Sequence, residues 1–228
     1  MNHITTMGVV LRRVNYQEAD RIVRLITPDH GKISLIAKGA RRTKSKLAGG
    51  IELFSVNDIT FIKGKSEIFT LVSSRGANHF QNILKDLERT KTGFEFIKRI
   101  DKLVEDNAGG EYFQILANAF EGLDRNDISS QLVEAWFLMK IFDSSGHGIE
   151  LDFDADSKGL KGGSSYDFDH DTMAFYSSQN GVFSEQHIKL MRLLRSSVSP
   201  LRLVSVQGVD DYVIECVQLC RSIDKFRT

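Results

Sequence analysis

Met7-Gly-Val-Val-Leu-Arg-Arg-Val-Asn-Tyr16, Arg21-Ile-Val-Arg-Leu-Ile-Thr27 and Lys32-Ile-Ser-Leu-Ile-Ala-Lys38 follow one another near the start of this 228-residue chain, and their reading decides the fold. All three are rich in β-branched and aromatic residues, which suit a pleated, half-buried surface. Ile33, Leu35 and Ala37 alternate onto one face. Between the second and third runs, Thr27-Pro-Asp-His-Gly31 puts proline and glycine where a tight turn needs them. Farther on, Leu53–Ile62 and Glu67–Val72 read as a hairpin joined by Lys63-Gly-Lys-Ser66. Five strands in some seventy residues leave no room for crossover helices, so the spacing predicts a small antiparallel barrel.

Beyond residue 78 the period becomes helical. Phe80, Ile83, Leu84 and Leu87 form one apolar stripe, and Ile97, Ile100, Leu103 and Val104 continue it after Lys91-Thr-Gly93. Asn107-Ala-Gly-Gly110 interrupts. Helices are predicted over Glu111–Leu123, Ser129–Phe142, Glu185–Arg195 with Ser184 as N-cap, and Val209–Lys225. Residues 144–182 lose this period and fill with glycine and aspartate, the insert itself spanning about 146–182; Asp171–Ser177 reads as a strand within them. The fold class is therefore α+β. An OB-fold, nucleic-acid-binding domain over 1–76 precedes a helical C-terminal domain over 77–228, which carries the acidic, glycine-rich insert.

The formal net charge is zero, yet the charges are segregated. Residues 1–80 hold thirteen lysines and arginines against six acids, while residues 100–176 hold five against sixteen. Such a split predicts a basic module facing a polyanion. The densest run is Lys38, Arg41, Arg42, Lys44 and Lys46, five cations within nine positions on a loop that Gly39 and Ser45 keep pliable. Mobile cations of this kind neutralise phosphates and release counterions without reading sequence. Arg12, Arg13, Arg24 and Lys32 extend the basic surface, and Phe54 or Tyr16 offers a stacking face for bases.

Several function classes find little support. No GxxxxGK[ST], GxSxG or GxGxxG after a strand occurs, so no nucleotide-hydrolysing or acyl-transfer site is expected and no cofactor is called for. His30 and His79 have no acid or nucleophile in sequence reach. Cys216 and Cys220 sit four residues apart on an apolar helical stripe and read as buried neutral thiols; Trp136 likewise reads as core. The longest apolar runs are too short for a bilayer, no signal peptide is evident at the start, and a cytoplasmic protein is expected. Aspartates 152, 154 and 156, and again 167, 169 and 171, alternate as strand-borne metal ligands would, and leave a metal-dependent nuclease or phosphotransferase as the alternative. An RNA-binding or protein-recruiting barrel is the other.

Leu11-Arg-Arg-Val-Asn-Tyr-Gln-Glu-Ala-Asp-Arg21, Leu25-Ile-Thr-Pro-Asp-His-Gly-Lys32, Ala37-Lys-Gly-Ala-Arg-Arg42 and Leu47-Ala-Gly-Gly50 together resemble the bacterial RecO family of DNA repair proteins. The resemblance implies an N-terminal OB fold, binding of single- and double-stranded DNA, strand annealing, and help in loading recombinase onto strands coated with single-strand-binding protein. RecR and the C-terminal tail of single-strand-binding protein are the partners it implies, with a nucleoid-associated location and no enzymatic activity. Its basic loop falls on Lys38, Arg41, Arg42, Lys44 and Lys46. Many members carry two CxxC pairs that bind zinc in the insert; here Gly146 to Gly181 has no cysteine, and His147 and His170 alone cannot complete a tetrahedral site. Phe168, Phe175, Tyr176 and Phe183 are expected to hold the insert instead. For an acidic, aromatic-ended tail, a groove is predicted where Lys189, Arg192, Arg195 and Arg202 flank Ile188, Met191 and Leu194.

Overall fold

The structure, a computed structural model, describes residues 3–227. Five strands close into a barrel: β1 (His3–Tyr16), β2 (Asp20–Thr27), β3 (Gly31–Ala37), β4 (Ser55–Ile62) and β5 (Ile68–His79), hydrogen-bonded in the order β1-β2-β3-β5-β4. β1 is long enough to serve two neighbours. Its first half pairs with β4 and its second with β2, and a bulge between Val10 and Arg12 bends it between the two. Closure comes from a short parallel pairing of Ser34–Ile36 with Ile68–Thr70. This order is that of an OB fold.

Alternation fills the barrel as expected. Val10, Val23, Leu25, Ile33, Leu35, Ile59, Phe61 and Leu71 turn inward, and Ala37, Ala40 and Ile51 close the end from which the 38–47 loop leaves. β5 runs on to His79, past the Val72 at which its apolar pattern stops. Residues 73–79 lie opposite Ser55–Thr60 of β4, so ladder hydrogen bonds extend a segment of weak strand formers.

Two helices follow, α1 (Leu87–Leu103) and α2 (Glu111–Asp124). Asp86 caps α1, its carboxylate accepting from the Arg89 amide at 2.8 Å. Lys91-Thr-Gly93 does not interrupt the helix. Gly93 instead lets it lie against Phe54, whose ring would sit 2.6 Å from any Cβ added there. Phe54 also meets Phe94 and Phe120 edge-to-face at 5.1 and 5.3 Å. Of the apolar stripe predicted over 80–104, Phe80, Ile83, Ile97, Ile100 and Val104 are buried, whereas Leu84, Leu87 and Leu103 stand exposed.

The chain divides into two compact units, 1–125 and 126–228. Compactness thus groups α1 and α2 with the barrel, whereas the division at 76/77 follows element type alone. The bond between barrel and helices is partly ionic. The Lys32 ammonium donates to the Asp101 carbonyl at 2.8 Å and stands 3.8 Å from both the Asp101 and Asp106 carboxylates. Backbone bonds from Lys32 to Ala108 and from Asn107 to Lys32 dock the α1–α2 loop on the edge of β3.

The second unit is built round α3 (Ser130–Ser144), which packs against α4 (Glu185–Ser196) and α5 (Val213–Arg227). Nine residues of α3 are buried, so it is apolar nearly all round, as a central helix must be. Trp136 is 1% exposed and donates its indole N–H to the Ser197 carbonyl at 3.0 Å. Cys216 and Cys220 are fully buried; burial pushes the Cys216 thiol up to about 12 and raises Cys220 as well. The insert contains a two-stranded hairpin, β6 (Tyr166–Asp169) and β7 (Ala174–Ser177). Phe168 and Phe183 pack edge-to-face on Phe175, while Tyr176 remains 44% exposed. Among the described residues, no helix is long and apolar enough to cross a membrane.

Candidate nucleic-acid interface

The basic loop begins where β3 ends. Lys38 is exposed, Gly39 takes a left-handed conformation (φ 66°), and its amide donates to the Asp20 carboxylate at 2.7 Å. Ala40 is buried in the barrel core and Leu47 packs against it, so the loop is pinned near both ends. The Arg41 amide donates to the Ala19 carbonyl at 2.9 Å, and its guanidinium donates to the Glu18 carbonyl at 3.1 Å. Short turns complete the path, Arg42 N–H to Gly39 and Ser45 N–H to the Arg42 carbonyl. The loop is thus an anchored scaffold rather than the pliable tether that Gly39 and Ser45 suggest.

Lys38, Arg42, Lys44 and Lys46 project from this scaffold into solvent, and Arg41, exposed too, leans on the β1–β2 turn. Arg12 is exposed on β1 and lies directly across from Arg24 on β2. Among the described residues, none of Arg12, Lys38, Arg42, Lys44 and Lys46 forms an ion pair. Five cations are therefore available to a polyanion on the barrel surface.

The other candidates are partly or wholly committed within the fold. Arg13 pairs with Glu52 at 2.6 Å, and Arg24 reaches Asp101 at 3.3 Å. Lys32 does not belong to this surface: it is 5% exposed and spends its charge on α1 and the loop after it. Phe54 is 2% exposed within an aromatic cluster and offers no face to a base; Tyr16 is 41% exposed and does. Sequence reasoning missed Lys63, Lys65 and Arg75 as surface cations. All three are exposed, and Lys63 stands 5.3 Å over the Phe69 ring. For Lys63 and Lys65 the signal was visible, since they flank the glycine of the β4–β5 hairpin loop.

The groove predicted on α4 does not form. Ile188, Met191 and Leu194 are core residues of the second unit, at most 2% exposed. Arg192 donates to the Leu151 carbonyl at 3.0 Å; Arg195 donates to the Ile149 carbonyl and pairs with Asp143 at 3.2 Å. Lys189 pairs with Glu185 at 2.6 Å, one turn back on the same helix. Of the four, Arg202, beyond the helix, stands exposed without such a bond among the described residues.

The insert aspartates do not converge either. Asp154 accepts from the amides of Asp156 and Lys158, and Asp169 from the Asp171 amide and the Thr172 hydroxyl, as aspartates do in tight turns. These bonds hold the Asp169 carboxyl below its ordinary range, the Thr172 hydroxyl foremost. Asp152 stands 3.8 Å from Arg192. Residues 152–156 form no regular strand, so alternation in sequence does not place those carboxylates on one face. Among the described residues, no three His, Cys, Asp or Glu side chains gather as a metal-holding group.

Comparison with known proteins agrees with the barrel. A family model described as "Recombination protein O N terminal" matches residues 1–80. The chain is 32% identical over 148 residues to the DNA repair protein RecO of Acetivibrio thermocellus, covering 64% of this chain and 59% of that one. It is 34% identical over 147 residues to that of Dehalococcoides mccartyi, covering 64% and 57%. The matched segments thus span less than two thirds of these relatives' length. With the DNA repair protein RecO of Listeria monocytogenes the match is longer, 31% identical over 212 residues, 89% of this chain and 77% of the relative. A likeness that runs through the barrel and most of the helical unit, over three quarters of that relative, establishes that the chain belongs to the RecO family.

Proposed function

We propose that this chain is a DNA-binding recombination mediator of DNA repair, holding single- and double-stranded DNA through the phosphate backbone. In this reading it anneals complementary strands and helps load recombinase onto strands coated with single-strand-binding protein. RecR and the acidic C-terminal tail of that coating protein are its partners, and it works in the cytoplasm at the nucleoid. The role is one of binding rather than catalysis. What supports the reading is the set of five exposed, unpaired cations, Arg12, Lys38, Arg42, Lys44 and Lys46, on an anchored surface of an OB barrel. Such a surface neutralises phosphates without reading bases. Annealing follows physically, because neutralising two backbones removes the repulsion that keeps strands apart. The tail is assigned no site on α4, whose cations are bonded to backbone and carboxylates of the same unit.

The test is fluorescence anisotropy of a labelled single strand across a salt series, with wild type and with Lys38, Arg42, Lys44 and Lys46 all changed to alanine. The quadruple variant should bind more weakly, and its log–log salt slope should shrink by about 0.7 for each phosphate no longer neutralised. Wild-type affinity in a variant that remains folded by circular dichroism sinks the assignment of this loop.

A further inference from the structure

A surface depression lies in the second unit, between the β6–β7 hairpin and α5. Two adjoining cavities of about 840 and 420 Å³ share Phe168, His170, Tyr176 and Ser222 as walls, and so form one trough. Its floor is fixed. His170 hydrogen-bonds the Ser222 hydroxyl of α5 at 2.8 Å and meets Phe168 edge-to-face at 5.2 Å. Three large side chains on its walls stay exposed: Tyr176 at 44%, Val182 at 60% and Phe226 at 61%. The volume is that of a site for a small ligand or a few residues of extended chain.

Charge says which. Asp167, Asp169, Asp171 and Glu215 line the trough, against the single ammonium of Lys225. On the hairpin Tyr176 lies directly across from Asp167, so the two side chains leave the same face of the hairpin. A nucleic-acid strand is repelled by such a surface, whereas an arginine or lysine finds a cation–π partner and a counter-ion in one place. The local acidity is part of the excess of acids over residues 100–176.

We propose that this trough is a docking groove for an extended, positively charged segment of a partner protein, with a cationic side chain against Tyr176 and Asp167 and an apolar neighbour beside Phe226. The test is selection of random eight-residue peptides displayed on phage against the full chain. Peptides carrying arginine or lysine next to an apolar residue should be enriched. The strongest, made synthetically, should lose about tenfold in affinity with Tyr176→Ala and with Asp167→Asn, and little with Tyr176→Phe, which keeps the ring. Asparagine keeps an acceptor for the Val182 amide that Asp167 receives at 3.2 Å, so loss in that variant reports charge rather than unfolding. No enrichment, enrichment of acidic or uncharged peptides, or a binder indifferent to Tyr176→Ala overturns the proposal. So does dimerisation by sedimentation that Tyr176→Ala abolishes, since the trough then belongs to a second copy.

Discussion

Two runs of cations in this chain look alike in sequence and meet opposite fates. Lys38, Arg41, Arg42, Lys44 and Lys46 lie on the barrel loop; Lys189, Arg192, Arg195 and Arg202 lie on and beyond α4. On the loop, the apolar residues among the cations, Ala40 and Leu47, are the anchors, and the charges are left in solvent. On α4 the arginines are themselves the anchors, bonded to the carbonyls of Ile149 and Leu151 and so fastening the start of the insert to the helix. A cation next to an irregular segment with unpaired carbonyls is readily consumed, because a buried carbonyl left unbonded is costly. Next to a loop that satisfies its own backbone, it remains available to an external anion.

The sharpest way to break this contrast is to remove the α4 arginines. Arg192→Ala with Arg195→Ala strands the Ile149 and Leu151 carbonyls and leaves Asp143 without its partner. The second unit is expected to lose about 2–3 kcal/mol of stability, read by urea denaturation with the fluorescence of Trp136, the only tryptophan, which lies in that unit. DNA affinity of the folded variant should stay within about twofold of wild type, as for cations that touch no phosphate. Loss of binding in a stable variant would mean that α4, too, faces the nucleic acid.

A smaller effect separates anchors from ligands within the loop itself. Asp20 accepts from the Gly39 amide, and Arg41 bonds the β1–β2 turn, so both hold the loop's path. Simple electrostatics says that Asp20→Ala, by deleting a negative charge near the site, tightens DNA binding. Anchoring says the reverse: loosening the loop adds an ordering cost, and affinity should fall by about fivefold, the equivalent of one net hydrogen bond of about 1 kcal/mol. Anisotropy titrations of Asp20→Ala beside Arg42→Ala decide the sign. Tighter binding in Asp20→Ala would make the loop a mobile tether after all.

The barrel was legible in sequence because alternation, turn residues and close spacing all pointed to it. Its closure was not: the β3–β5 pairing joins segments that no local pattern links. Lys32 shows the same limit at a single residue, since its partners Asp101 and Asp106 lie some seventy positions on, and the run 32–38 gives no hint of them. Nor could the α4 groove be judged from sequence, because the groups that take its arginines are backbone carbonyls, which every residue carries. Phe54 misled for a related reason: an aromatic residue at a strand boundary is as ready to cap a core as to face a base, and Gly93 on α1 settled which. Exposed charge on the loop, by contrast, was signalled by the density of its cations, five within nine positions.

The last expected effect is a response of the second unit to pH in the neutral range. His187 is 7% exposed near the start of α4, where its Nδ1 accepts the Ser184 amide at 2.9 Å and its Nε2 stands 3.6 Å from Glu215. Burial lowers its pKa below the ordinary histidine value, and Glu215 only partly opposes this. The neutral ring is thus the folded form. As pH falls through about 6.5, the unfolded chain takes up a proton that the folded unit refuses, so stability is retained above that pH and lost below it. The decline has a limiting slope of about 1.4 kcal/mol per pH unit and flattens once pH passes below the folded pKa. The carboxyls held below their ordinary range, Glu150 by the Asp152 amide foremost and Asp169, act only at lower pH, below the window from 7 to 5.5. His187→Gln keeps an acceptor for the Ser184 amide while removing the titration. Its urea midpoint, followed by Trp136 fluorescence, should decline less across that window than that of wild type. An equal decline in both places the pH response elsewhere in the unit and returns His187 to plain packing.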